Sequence, residues 1–153
     1  MHEGWFALRH NRIFSVGGDV GWIDECACIG ADAQARFASA LYAHRVGSLP
    51  DDAIYEAQGA SGTTPVSLEL EPGACYLAIV VEKLGPERGI GLRVTVGERV
   101  SDDERGAKDS SAIVAFCAAD AARAEVEVDA RSSGAGWALA VFRNVGGVWG
   151  LRP

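Results

Sequence analysis

The sequence predicts an all-β, antiparallel, jelly-roll-like β-sandwich with one accessory α-helix. Three observations carry that prediction. From Pro65 onward, apolar residues recur at every second position in short segments, the period of strands that bury one face. Between those segments stand Glu71-Pro72-Gly73 and Gly85-Pro86, residues that supply the backbone angles of tight reversals. Helical spacing is clear in one stretch alone, "ADAQARFASALYAHRVG".

Taken in order, "WFALRH", "RIFSV" and "DVGWID" read as two or three short strands. The helix is expected near residues 32–46, with Asp32 as its N-cap, Phe37 and Leu41 on one face, His44 and Arg45 in the last turn and Gly47 as the stop. It would pack on the sandwich or its edge. "SLPDDAIYEAQGASGTT" reads as a connecting loop broken by Pro50 and Gly62. "PVSLELE" then places Val66, Leu68 and Leu70 on one face, and "ACYLAIVVE" is a continuously apolar, central strand. "GIGLRVTV" alternates Ile90, Leu92, Val94 and Val96 inward, whereas "GERVSDDERGAKDSS" is polar and reads as a loop. "AIVAFC", "RAEVEVDA" and "WALAVF" complete the strands, with Val126 and Val128 on the core face and Glu125, Glu127 and Asp129 in solvent. One domain over 1–153 is expected, of which 1–64 is the less regular part and 65–153 the sandwich core.

Composition narrows the function. The chain is 48% hydrophobic, which supports a folded core rather than disorder. A formal charge of −7 opposes phosphate binding, so no nucleic-acid partner is expected. No apolar run reaches the roughly 18 residues that a membrane helix needs, and no membrane span is expected. No charged and apolar leader follows Met1, which predicts either a cytoplasmic chain or a start downstream of a missing leader.

The cysteines pull the other way. Cys75 and Cys117 lie within or at the ends of predicted strands, while Cys26 and Cys28 form a Cys-x-Cys with no metal-site spacing to other Cys or His. A Cys75–Cys117 disulfide would add roughly 4 kcal/mol by restricting the unfolded chain. The alternative is a pair of reduced, buried thiols. The bridge is the expectation, and with it an extracytoplasmic or cell-surface setting.

The chain also begins and ends on one phrase. "EGWFALRHNRIFSVGGDVGWI" and "AGWALAVFRNVGGVWGL" both run Gly-Trp, apolar segment, Arg and Asn, Gly-Gly, Trp. The copies are either the closing hairpins of two modules, equivalent edge strands in the two sheets of one domain, or similar by chance. A single domain is preferred, because an orphan hairpin is only marginally stable.

From Pro72 to Phe142 the order "PGACYLAIVVE", "GIGLRVTVG", charged loop, "AIVAFC", "AEVEVDARSSGAGWALAVF" resembles the bacterial pre-peptidase C-terminal domain and related Cys-containing surface modules. Gly73 and Tyr76 match its Gly-x-x-Tyr strand, and Val126, Val128, Ser133 and Gly134 its late strand and turn. The resemblance covers about half the chain. It implies a non-catalytic accessory module of a secreted or surface-associated protein, sometimes binding polymeric substrate or calcium. Against that resemblance, no leader and no attached peptidase are expected from these residues.

Candidate sites follow from side-chain chemistry. Trp22 and Trp149 lie in Gly-rich context and are the expected binding residues for a protein or polysaccharide, because exposed indoles stack on sugars and anchor interfaces. Asp102, Asp103 and Asp109 offer oxygen ligands for calcium, the one cofactor these residues leave open, although they lack a dedicated calcium-loop spacing. A solvated acidic loop is the bland alternative. No catalytic motif is present, and a non-catalytic binding or structural interaction module is the expected function. The rivals are a small cytosolic enzyme pairing Cys28 with His44, and an oligomeric assembly component, to be recognised by an exposed apolar patch; a homo-oligomer stays open.

Overall fold

A computed structural model describes residues 11–16, 19–25, 31–43, 53–60, 62–83, 89–103, 110–130 and 136–144. Within them the chain forms β1 (Asn11–Val16), β2 (Asp19–Glu25), α1 (Ala31–Ala43), β3 (Tyr55–Ala60), β4 (Thr63–Glu69), β5 (Cys75–Glu82), β6 (Gly91–Val96), β7 (Arg99–Asp102), β8 (Ser111–Cys117), β9 (Arg123–Asp129) and β10 (Gly136–Asn144). The larger sheet has the order β1-β2-β3-β10-β5-β8 and the smaller one β4-β9-β6-β7. Every strand pair is antiparallel. The chain changes sheet between β3 and β4, β4 and β5, β5 and β6, β7 and β8, β8 and β9, and β9 and β10, the jelly-roll-like connectivity expected.

The burial pattern explains why some strands alternate and others do not. On the smaller sheet, Val66 and Leu68 of β4, Leu92, Val94 and Val96 of β6, and Ala124, Val126 and Val128 of β9 face inward. They meet Tyr76, Ala78 and Val80 of β5, Ala112, Val114 and Phe116 of β8, and Trp137, Leu139 and Val141 of β10 in one core. The outer face of the larger sheet is also covered where β5 and β10 run. Phe37, Ala40 and Leu41 of α1 cluster there with Leu77, Ile79 and Val81 of β5 and Ala138, Ala140 and Phe142 of β10. β5 and β10 are therefore apolar at successive positions because both of their faces are buried. The accessory helix is the third layer that makes this so.

Several elements differ from the sequence expectation. The stretch taken as a connecting loop contains β3, an interior strand paired with β2 on one side and β10 on the other. "YEAQGA" has no β-branched residue, so its strand state comes from pairing on both sides rather than from intrinsic preference. Its small residues suit that place: a Cβ on Gly136 would lie 3.2 Å from the Gly59 carbonyl oxygen. The polar stretch after Val96 is likewise not all loop, since β7 pairs with β6. The reversal is a two-residue turn at Gly97 and Glu98, with Gly97 at φ 60° in the first central position, as a type II′ hairpin requires. The helix starts at Ala31, so Asp32 lies in its first turn rather than preceding it. His44, Arg45 and Gly47 lie outside the described residues.

The two similar phrases are not edge strands of two sheets. β1 and β2 form a hairpin at one end of the larger sheet, whereas β10 is an interior strand of that same sheet, separated from β2 by β3. Glu3 to His10 and residues 145–151 of the two copies lie outside the described residues.

Candidate functional site

With α1 laid over β5 and β10 of the larger sheet, the outer face of the smaller sheet is a broad solvent-facing surface among the described residues. Alternation decides who stands on it: once Val66, Leu68, Leu92, Val94, Val126 and Val128 point inward, their neighbours must point out. Ser67 and Glu69 come from β4, Arg123, Glu125, Glu127 and Asp129 from β9, Arg93 and Thr95 from β6, and Val100 and Asp102 from β7. The register sets them in rows across the strands. Pro65, Glu127, Arg93 and Asp102 form one row, and Ser67, Glu125, Thr95 and Val100 the next.

The electrostatics of this face are those of a carboxylate-rich surface with two embedded guanidinium groups, Arg93 and Arg123. Arg93 Nε donates to Asp102 Oδ1 at 2.7 Å across the β6–β7 pair. Arg123 Nη2 donates to Glu69 Oε1 at 3.0 Å across the β4–β9 pair. Arg93 is pushed further above its ordinary range by the hydrogen bond and charge of Asp102, and then by Glu127 and Asp129. Both pairs are exposed, and exposed ion pairs of this kind add little to stability. Their importance lies in the pattern they present. Val100, 57% exposed, is with Pro65 an apolar member of the face, and no described residue on it is aromatic.

The residues singled out from sequence are spread over the fold. Cys75 and Cys117 form the expected disulfide, joining β5 to β8 at positions directly opposite each other. Asp102 belongs to the exposed face and is ion-paired with Arg93. Asp103 accepts a hydrogen bond from the Ile113 backbone N–H at 2.7 Å. Asp109 lies outside the described residues. Among the described residues, no group of three or more His, Cys, Asp or Glu is placed to hold a metal ion. Trp22 pairs with Ala60 in the β2–β3 register, its side chain lying outside the description, and Trp149, Cys26, Cys28 and His44 lie outside it altogether. Trp137 is fully buried in the inter-sheet core.

Two features were missed by sequence reasoning. Glu82 is a buried carboxyl-bearing side chain at the end of β5, opposite Trp137; in the sequence it reads as the polar terminator of an apolar run. Glu56, on the outward-facing register of β3 beside Ala140, has its carboxyl pushed above its ordinary pKa by desolvation. It went unseen because β3 itself was taken for a loop.

No family model matches this chain, and no curated protein matches it. Among solved structures it is similar to a carbohydrate-binding module, TmCBM61, in complex with β-1,4-galactotriose, with a TM-score of 0.44 and 12% identity over 92% of this chain and 93% of that one. No helix among the described residues is long and apolar enough to cross a membrane.

Proposed function

We propose that this chain is a non-catalytic binding module of a secreted or surface-associated protein, and that it meets its partner on the open face of the smaller sheet. The observation that carries this reading is the asymmetry of the sandwich. A helix lies over β5 and β10 of one sheet, while the other presents Glu69, Arg93, Asp102, Arg123, Glu125 and Glu127 to solvent among smaller and apolar side chains. The disulfide supports the extracytoplasmic setting, because such bridges persist in oxidising compartments.

The chemistry of the face favours ionic and hydrogen-bonding contact over ring stacking. Its ligand class is a protein or polysaccharide bearing cationic or hydrogen-bonding groups complementary to Glu125 and Glu127. Stacking on indoles would instead require Trp22 and Trp149, the residues expected from sequence. Binding to a panel of soluble polysaccharides and candidate surface proteins, measured by affinity electrophoresis and calorimetry, separates these modes. Glu125→Lys with Glu127→Lys should abolish binding, while Trp22→Ala and Trp149→Ala should leave it intact. Binding lost on the tryptophan substitutions and unaffected by charge reversal moves the site away from the smaller sheet. Failure to bind any member of the panel argues against the module reading itself.

A further inference from the structure

The larger sheet ends at β8, and an edge strand is a row of backbone donors and acceptors available to another chain. Which of those groups face outward follows from the pairing with β5. The Glu82 N–H donates to the Ser110 carbonyl at 2.9 Å, and the Ala118 N–H donates to the Ala74 carbonyl at 2.8 Å. Positions 110 and 118 are thus bonded to the β5 side, and in an antiparallel ladder the alternate positions are not. Ser111, Ile113, Ala115 and Cys117 therefore turn their backbone N–H and C=O groups away from β5, toward the edge on which no described strand pairs.

Two of those outward groups are occupied by side chains from the neighbouring segment. Asp103 Oδ2 accepts the Ile113 N–H at 2.7 Å. Arg99 Nη2 donates to the Cys117 carbonyl oxygen at 3.2 Å. Arg99 begins β7, the edge strand of the other sheet, and Asp103 directly follows it. The two sheet edges thus meet through a carboxylate and a guanidinium rather than through a backbone ladder. The Cys75–Cys117 bridge ties the same end of β8 to β5. Between the two occupied positions stands Ala115, whose side chain is exposed.

We propose that Arg99 and Asp103 are an edge guard, which keeps β8 from pairing with the β8 of a second copy of this chain. An incoming strand must take the Ile113 N–H and the Cys117 C=O for its own ladder. To do so it has to displace two charged partners, and charge at a sheet edge is a known device against such pairing. This assigns Asp103 a role different from metal ligation, and it separates Asp103 from Asp102, which belongs to the exposed face.

The test compares the whole chain with R99A/D103A, D103A and D103N by sedimentation velocity over a range of concentrations, together with amide exchange at Ala115. Asn keeps an oxygen able to accept the Ile113 N–H but loses the charge, so D103N should associate less than D103A and more than the wild type. R99A/D103A should gain mass with concentration relative to the wild type, with slower exchange at the Ala115 amide as it enters a new ladder. Adding A115K, a lysine on the exposed edge, should reverse both effects. D103A removes the part-buried Asp103 acceptor alone and is read in the same way if the double variant does not fold. The proposal is overturned if the guard variants sediment as the wild type at every concentration. It is equally overturned if they associate without slowing Ala115 exchange, or if A115K leaves the association in place.

Discussion

Removing the Cys75–Cys117 bridge should cost this protein about 4 kcal/mol, and the reason lies mainly in the unfolded chain. The cysteines are 42 residues apart in sequence, and closing a loop of that size removes an entropy equivalent to ~4 kcal/mol at room temperature. In the folded chain they already face each other in the β5–β8 register, so the sheet holds the two positions together without the covalent link. The perturbation is C75A/C117A, compared with the wild type in urea and in thermal unfolding. The buried indole of Trp137 contributes a fluorescence signal from the core. For a domain of this size, 4 kcal/mol corresponds to a fall in Tm of about 8–16 °C. Intact mass with alkylation of the denatured wild type, before and after reduction, establishes that the bridge is present. A loss below about 1 kcal/mol with the bridge confirmed would refute the reasoning, since the tether would then not restrict the unfolded state as loop closure requires. Free thiols at Cys75 and Cys117 in protein made under oxidising conditions would instead remove the argument for an extracytoplasmic setting.

Three further outcomes are expected. Phe37→Ala, at a fully buried side chain in the cluster between α1 and the larger sheet, should cost about 3–5 kcal/mol in urea unfolding, with loss of helical signal preceding loss of the sheet; a cost under 1 kcal/mol would mean that α1 is not docked as described. Thr64→Val should raise stability by about 1 kcal/mol, because the buried Thr64 hydroxyl has no hydrogen-bond partner and a desolvated, unbonded hydroxyl is costly; destabilisation would show that the hydroxyl is bonded in solution. Glu56 is held above its ordinary pKa in the folded protein by desolvation, so its protonated form is favoured by folding, and its contribution to stability is present below the unfolded pKa and lost as pH rises through the folded one. Glu56→Gln should accordingly flatten the pH dependence of Tm just above the usual carboxylate range, and an unchanged profile would count against burial of that carboxyl.

How much of this was legible beforehand can be seen strand by strand. β4, β6 and β9 alternate, and β5 and β10 carry unbroken apolar runs, so their existence and the inward faces of the first three followed from side-chain period alone. The helix was visible through Phe37 and Leu41 because its one apolar face repeats at helical spacing. β3 and β7 were not visible. Their residues, "YEAQGA" and "RVSD", lack the strand-forming bias or length that marks a strand locally, and partners supplied from elsewhere in the chain make them strands. The exposed face was half legible: Glu125, Glu127 and Asp129 could be assigned to solvent from β9 alone. That Arg93, Asp102, Glu69 and Arg123 join them depends on a register that no local pattern encodes.

The sequence by itself determined the fold class, the inward faces of the alternating strands and the plausibility of a Cys75–Cys117 bridge, because each depends on spacing within a short segment or on a simple chain-entropy argument. The tertiary structure decided the rest. It placed β10 inside the sheet rather than at an edge, laid α1 over β5 and β10 so that both were buried twice, and split Asp102 from Asp103, sending one to the open face and the other to the edge of β8. The physical reason is common to all three. Pairing and layering are contacts between segments distant in sequence, and their free energy belongs to both partners rather than to the residues of either.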